Sequence, residues 1–265
     1  DIRILNDFTI NSGLFYTYWN KIYVGGDFVN AGGYFNMNES YGQNSTLTLE
    51  GTAGTLNFNP GTTQFFRKLV IDGGAKYLLG SDLEILGNSG DNGDLNIING
   101  TLDLNNNHLT MTSTIGDIIV HANGKLALDS AAILTMPNNR TLLNNGGIVE
   151  IIGNTSTPAR VTSTGNFYFI QKAGEIAAKY YAIENTRDSG LNVRGGTIHA
   201  TYNLSNGSFS GGIGNSYLTL DNINFGDDIT ISDVLFTESG SGPTYNVQRL
   251  VSAPATDDSL IMLDA

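Results

Sequence analysis

Three carboxylates invite a chemical reading first. Asp91 and Asp94 lie in the run NSGDNGD, and Asp117 follows 23 residues after Asp94. With Asn88 and Asn92 that run offers several hard oxygens within seven residues, the donor type that calcium takes. The spacing is neither that of an EF-hand loop, which needs a Glu at its twelfth position, nor that of the nonapeptide calcium repeat. Carboxylates set across a groove would also suit a polysaccharide hydrolase, and a lyase would add a Lys or Arg base beside bound calcium. Asp227 and Asp228 offer a second acidic pair, and no basic residue or His can be assigned beside either cluster. Asp and Asn at turns ordinarily accept hydrogen bonds from nearby backbone amides. A structural role is therefore expected for both clusters, with calcium at Asp91, Asp94 and Asp117 as the alternative and no other cofactor. His108, His121 and His199 are far apart in the chain. His121 shares a strand face with Asp117, yet no Ser nucleophile with a base can be assembled around it, so surface imidazoles are expected. Trp19 with Phe15, Tyr16, Tyr18 and Tyr23 could stack on sugar rings, but the expected role is to cover the first coils or a contact with preceding sequence.

Composition narrows the partners. Basic residues number 13 against 25 acidic ones, for a net charge of −12. The basic residues are scattered singly, whereas nucleic acid or an anionic membrane needs clustered Lys and Arg. No run approaches 18 apolar residues, which argues against membrane insertion. Absence of Cys excludes a disulfide framework and thiolate metal sites. The chain holds 33 Gly and 31 Asn among 265 residues. Both tolerate left-handed backbone, so tight turns are frequent. Hydrophobic residues at 40% are enough for a core.

The elements that would position these residues recur. Short apolar segments begin at Ile22, Leu47, Leu69, Leu95, Ile118, Leu142, Phe167, Val193 and Leu218, about 24 residues apart. That period marks a solenoid. DLNIINGTLDLNNNHLTM, from Asp94, overlays on DIIVHANGKLALDSAAILTM, from Asp117. Each unit reads as three short strands separated by Gly, Asn or Asp, with no room for a helix. Ala173 to Glu184 is the one stretch that passes for helical, and it falls where the repeat expects strands. The fold predicted is all-β, a right-handed parallel β-helix over residues 1–265, read as one domain and as an internal piece of a longer chain. Alternation turns Leu95, Ile97, Leu102, Leu104, Leu109, Met111, Leu126 and Leu128 inward and leaves Asn96, Asp103, His108, Thr110, Lys125 and Ala127 outward. Asn99-Gly100, Asn123-Gly124 and Asn145-Gly146 recur in step, so Asn99, Asn123 and Asn145 are expected to stack as an amide ladder.

The segments VGGDFVNAGGYF, TLTLEGTAGTLNF, KLVIDGGAKYLLGSDLEI and LNIINGTLDLNNNHLTM, followed by IHATYNLSNGSFSGGIGNSYLTLDNINFGDDITISDVLF, resemble the β-helical repeats of large secreted surface proteins of Bacteroidota-type bacteria exported by the type IX route. The resemblance implies an extracellular, cell-surface location and a role as stalk, adhesin or matrix component. Asp129-Ser130-Ala131 and Asp258-Ser259-Leu260 match the short O-glycosylation pattern of those bacteria, which makes Ser130 and Ser259 candidate acceptors. The expected function is a non-catalytic extracellular rod, structural or adhesive. Its partners would be glycans, other surface proteins or neighbouring domains of the same polypeptide. The alternative is a polysaccharide-binding or polysaccharide-degrading β-helix.

Overall fold

A computed structural model describes residues 1–265 apart from 18–19, 38–44, 53, 59–62, 88–92, 113–115, 222–228, 239, 241, 251–259 and 264–265. The described residues form parallel strands and no helix. The expected inward stack is continuous. Ile22 pairs with Leu47, Leu47 with Leu69, Leu69 with Leu95, Leu95 with Ile118 and Ile118 with Leu142, and all are fully buried. The column then runs through Phe169, Leu191 and Leu218. Phe169 and Leu191 thus occupy the places that spacing gave to Phe167 and Val193. A slip of two residues keeps the same face inward, so all four side chains are buried. Leu83, Leu109, Leu134, Val161, Ile183, Phe209 and Phe236 make a parallel column on the opposite sheet.

In the central coils the first two segments of each unit join into one bent strand, as in Leu95–Asp103, Ile118–Leu128 and Thr141–Ile152, and only the third stands apart, as in His108–Met111. The bend falls at the Asn-Gly pairs, where the pairing register slips without the strand ending. Ala173 to Glu184 lies in strands Phe167–Lys179 and Tyr181–Glu184, as the repeat demanded.

Outward residues are less exposed than alternation implies. Asp103 is buried because Lys76 reaches it at 2.6 Å and the Asn105 amide donates to it at 2.9 Å. Asn96 is buried between the Gly93 carbonyl and His121. Three ion pairs follow one rule. Lys76, Lys125 and Arg160 pair in register with Thr101, Ile148 and Ala182, and each binds the carboxylate two residues further on, Asp103, Glu150 and Glu184. Pairs this exposed are each worth at most about 1 kcal/mol. Their regular offset favours one register over a slipped one, which would reverse every face.

One inner column turns polar midway. Val24, Leu49, Ile71, Ile97 and Val120 are followed in register by Asn144 and Gln171 before Val193 and Leu220 resume. Both amides are fully buried. Asn144 donates to the Glu175 carbonyl at 2.9 Å, and Gln171 donates to the carbonyls of Gly195 at 3.1 Å and Thr197 at 2.9 Å. Both amide nitrogens thus reach main-chain carbonyls of the following coil, the kind of partner that a buried polar side chain requires.

Among the described residues, four groups hold protons more tightly in the fold than in the unfolded chain. Burial raises the pKa of Tyr77, Tyr181 and Tyr217. The hydrogen bond to Asp103 raises that of Lys76 against an opposing desolvation. Tyr181 also donates to the Leu204 carbonyl at 2.9 Å. A group whose folded pKa exceeds its unfolded value stays protonated after the unfolded chain has ionised, so its stabilisation is complete below the unfolded pKa and is lost as pH rises. Urea unfolding is therefore expected to show stability falling above about pH 10, with Tyr181 alone contributing about 1.4 kcal/mol per pH unit. Tyr181→Phe should flatten that slope, and equal slopes for the two proteins would refute the assignment.

Candidate functional site

The acidic corner comes together only in part. Asp91, Asp227 and Asp228 lie outside the described residues. Register places Asp94 one position before Leu95 and Asp117 one before Ile118, so the two face each other across adjacent coils, and the Leu95 amide donates to the Asp117 carbonyl at 3.3 Å. Asp94 is fully buried against Gly116, whose α-hydrogen leaves the room that its carboxylate fills. Asp117 Oδ1 accepts from the Thr141 amide at 2.8 Å. Among the described residues no group of three or more His, Asp or Glu side chains is placed to hold a metal ion. With one carboxylate buried and the other bonded to a backbone amide, millimolar calcium is expected to raise the melting temperature little, since a ligand stabilises only as its concentration exceeds its dissociation constant. A large stabilisation that a chelator reverses and Asp94→Asn abolishes would restore a calcium site.

The asparagine ladder needs correction. Asn99 pairs with Asn123, but Asn145 lies opposite His121, and all three are exposed. Among the described residues no hydrogen bond joins these three amides. The element in step is glycine. A Cβ on Gly147 would overlap the Gly124 carbonyl oxygen, one on Gly174 that of Gly147, and one on Gly196 that of Gly174. Gly174 and Gly196 also have φ of 79°. The corner brings backbone onto backbone and leaves no space for a side chain, which is why Gly recurs there.

The remaining sequence candidates are separate. Ser130 Oγ accepts from Asn154 Nδ2 at 2.8 Å on a half-buried turn, and Ser259 lies outside the described residues. His121 Nε2 lies 3.3 Å from Asn96 Oδ1. His199 Nδ1 accepts from the amides of Thr201 and Tyr202. Phe15 packs edge-on to Phe8 at 5.1 Å and stacks on Phe35 at 5.8 Å, as a cover for the first coils, while Tyr18 and Trp19 lie outside the described residues.

The feature that spacing missed is a cleft of about 160 Å³ lined by Tyr168, Ile170, Arg187, Asp188, Asn192 and Arg194, among others. It arises from a bulge. Phe167 pairs with Thr186 and Phe169 with Leu191, so two steps on one strand face five on the next. Asp188 and Gly190, with φ of 57° and 64°, turn the extra residues outward. The following coil pins them, because the Ile213 amide donates to the Thr186 carbonyl at 2.9 Å and the Asn215 amide to that of Asp188 at 2.6 Å. Bulges of this kind re-aim side chains beside functional sites.

Two guanidinium groups flank the cleft. Arg187 stacks over the Tyr168 ring at 4.8 Å, binds Asn139 Oδ1, and lies 3.5 Å from Asp188 Oδ1. Arg194 is exposed. With the Asn192 amide turned so that its oxygen faces the guanidinium, that oxygen accepts from Arg194 Nε and Nη2 at 3.1 Å each. Among the described residues no carboxylate lies within ion-pair distance of Arg194, although Asp221 occupies the next position along the following coil. The signal in the sequence was Asp188-Ser189-Gly190 interrupting a β segment between two arginines.

No family model matches the chain, and no solved structure matches it. Outer membrane protein B of Rickettsia prowazekii (strain Madrid E) is 30% identical over 105 residues. That match covers 38% of this chain and 6% of the relative, so the chain spans only a small part of that protein's length.

Proposed function

We propose that the chain is a non-catalytic, extracellular segment of a bacterial surface protein, a rod with a structural or adhesive role. The observation that carries this reading is the continuous inward column, which passes through strands from Ile22 to Leu218. At about 4.8 Å per strand, the eleven strands of the sheet's main path make a rod of about 50 Å. Such an element spans distance by repetition, and its length scales with the number of coils. The similarity to an outer membrane protein supports placement at the cell surface, and the resemblance to type IX cargo supports export by that route. Exposed Leu5 and Leu14 at one end and Leu235, Tyr245 and Leu250 at the other leave apolar surface suited to neighbouring coils or domains.

Intact cells carrying the parent protein test this reading. Antibody against the segment should label them without permeabilisation, and added protease should remove the label; a signal that appears only after lysis would refute surface placement. The non-catalytic assignment is tested by incubating the segment with pectin, alginate and cellulose. No new reducing ends are expected, and release that disappears in Asp94→Asn or Asp117→Asn would overturn it.

A further inference from the structure

We propose that the cleft beside Arg194 binds the carboxylate of an acidic saccharide unit, so that the rod contacts anionic glycan through its own side wall. This inference rests on the adhesive reading above, but it is tested on the purified segment, so its failure leaves surface placement untouched and the reverse also holds.

The chain carries −12, yet two guanidinium groups line this cleft, against Asp188 in its wall and Asp221 beside it on the following coil. Arg187 and Asp188 offset one another, and Arg194 remains with only an amide oxygen as partner among the described residues. That oxygen engages two of the five N–H donors of the guanidinium. The rest keep the planar fork that matches a carboxylate in two-point contact. Asn192, nearly buried, fixes the fork in place, so little side-chain freedom remains to be lost on binding.

The remaining lining indicates what carries the carboxylate. Ser189 and the Asn192 amide group provide neutral hydrogen-bonding groups of the kind that hydroxyls use, and the half-exposed Ile170 side chain gives an apolar patch for a C–H face. At about 160 Å³ the cleft lies well below the roughly 300–1,000 Å³ of drug-sized pockets, so it accommodates one ring or less. A phosphate dianion is disfavoured beside the exposed Asp188 carboxylate, whereas a single negative charge meets less repulsion. The wall is preformed, since Gly190 packs where a Cβ would overlap the Tyr217 carbonyl and the bulge is bonded to the next coil.

Amide chemical shifts of the ¹⁵N-labelled segment, followed during titration with galacturonate, galactose, inorganic phosphate and a Glu-containing peptide, test the proposal. Galacturonate is expected to move the amides of Ser189, Gly190 and Asn192 with an affinity of about millimolar, and galactose to leave them in place. Arg194→Gln should weaken that binding at least about tenfold, the loss expected of one charge-assisted contact. Arg194→Lys, which keeps the charge without the fork, should lose part of it and serves as the second variant if the first fails to fold. Lys172→Gln, an exposed cation outside the cleft, should change nothing. Phosphate binding as tightly as galacturonate, an equal response to a Glu-containing peptide, or a response unaffected by both Arg194 variants would overturn the proposal.

Discussion

Leu95→Asp is expected to cost about 5 kcal/mol or more, the largest effect of any single substitution considered for this protein. Leu95 is fully buried, with Leu69 opposite it on one side and Ile118 on the other. Removing a buried Leu side chain alone costs about 2–5 kcal/mol. A carboxylate in its place would have apolar neighbours in both adjacent coils and would have to remain ionised without a partner or take up a proton. Stability in a solenoid is close to a sum of units and their interfaces, so the break should separate the stack into two arms that melt independently. Calorimetry is expected to show a lower and divided transition. Ile98→Asp is the control, because Ile98 is 40% exposed on the same strand and should change stability by no more than about 0.5 kcal/mol. Equal effects at positions 95 and 98 would mean that the inward column is wrongly assigned.

Gly174→Ala should cost about 3 kcal/mol, combining the penalty of a left-handed Ala with overlap against the Gly147 carbonyl oxygen. Gly13→Ala separates the two contributions. Gly13 has φ of 85° and nothing within 4 Å of an added Cβ, so only the conformational penalty of about 1–2 kcal/mol applies. The difference between the two variants, read from urea unfolding, measures the close approach of successive coils at the corner. Identical losses would show that the glycines serve only the backbone angle and that the column of overlapping carbonyls has no energetic weight.

The fold was legible because its determinants are local and repeated. A residue at Leu95 faces inward through two-residue alternation, and Ile118 lies above it through the coil period; both are properties of a string, readable without coordinates. Even the shift from Phe167 to Phe169 in the column did no harm, since two residues preserve the face. Alternation likewise identified Ala173 to Glu184 as strand, because no helix fits the stack at that place.

What the sequence alone determined about this protein is therefore the class of fold, the inward set of side chains and the position of the corners. Only the tertiary structure decided what happens between coils, because that depends on a register slip or bulge of one to three residues, which composition and spacing do not record. It moved Asn145 opposite His121 and passed the corner column from asparagine to glycine, since carbonyls approach there too closely for any Cβ. It divided the fates of Asp94 and Asp117, burying one and tying the other to the Thr141 amide. It also set five steps against two between Thr186 and Leu191, turning two arginines from scattered surface charges into the walls of one cleft. Interactions of this kind join residues some 20 to 50 positions apart, as Arg187 joins Asn139, and their geometry exists only once the coils are stacked.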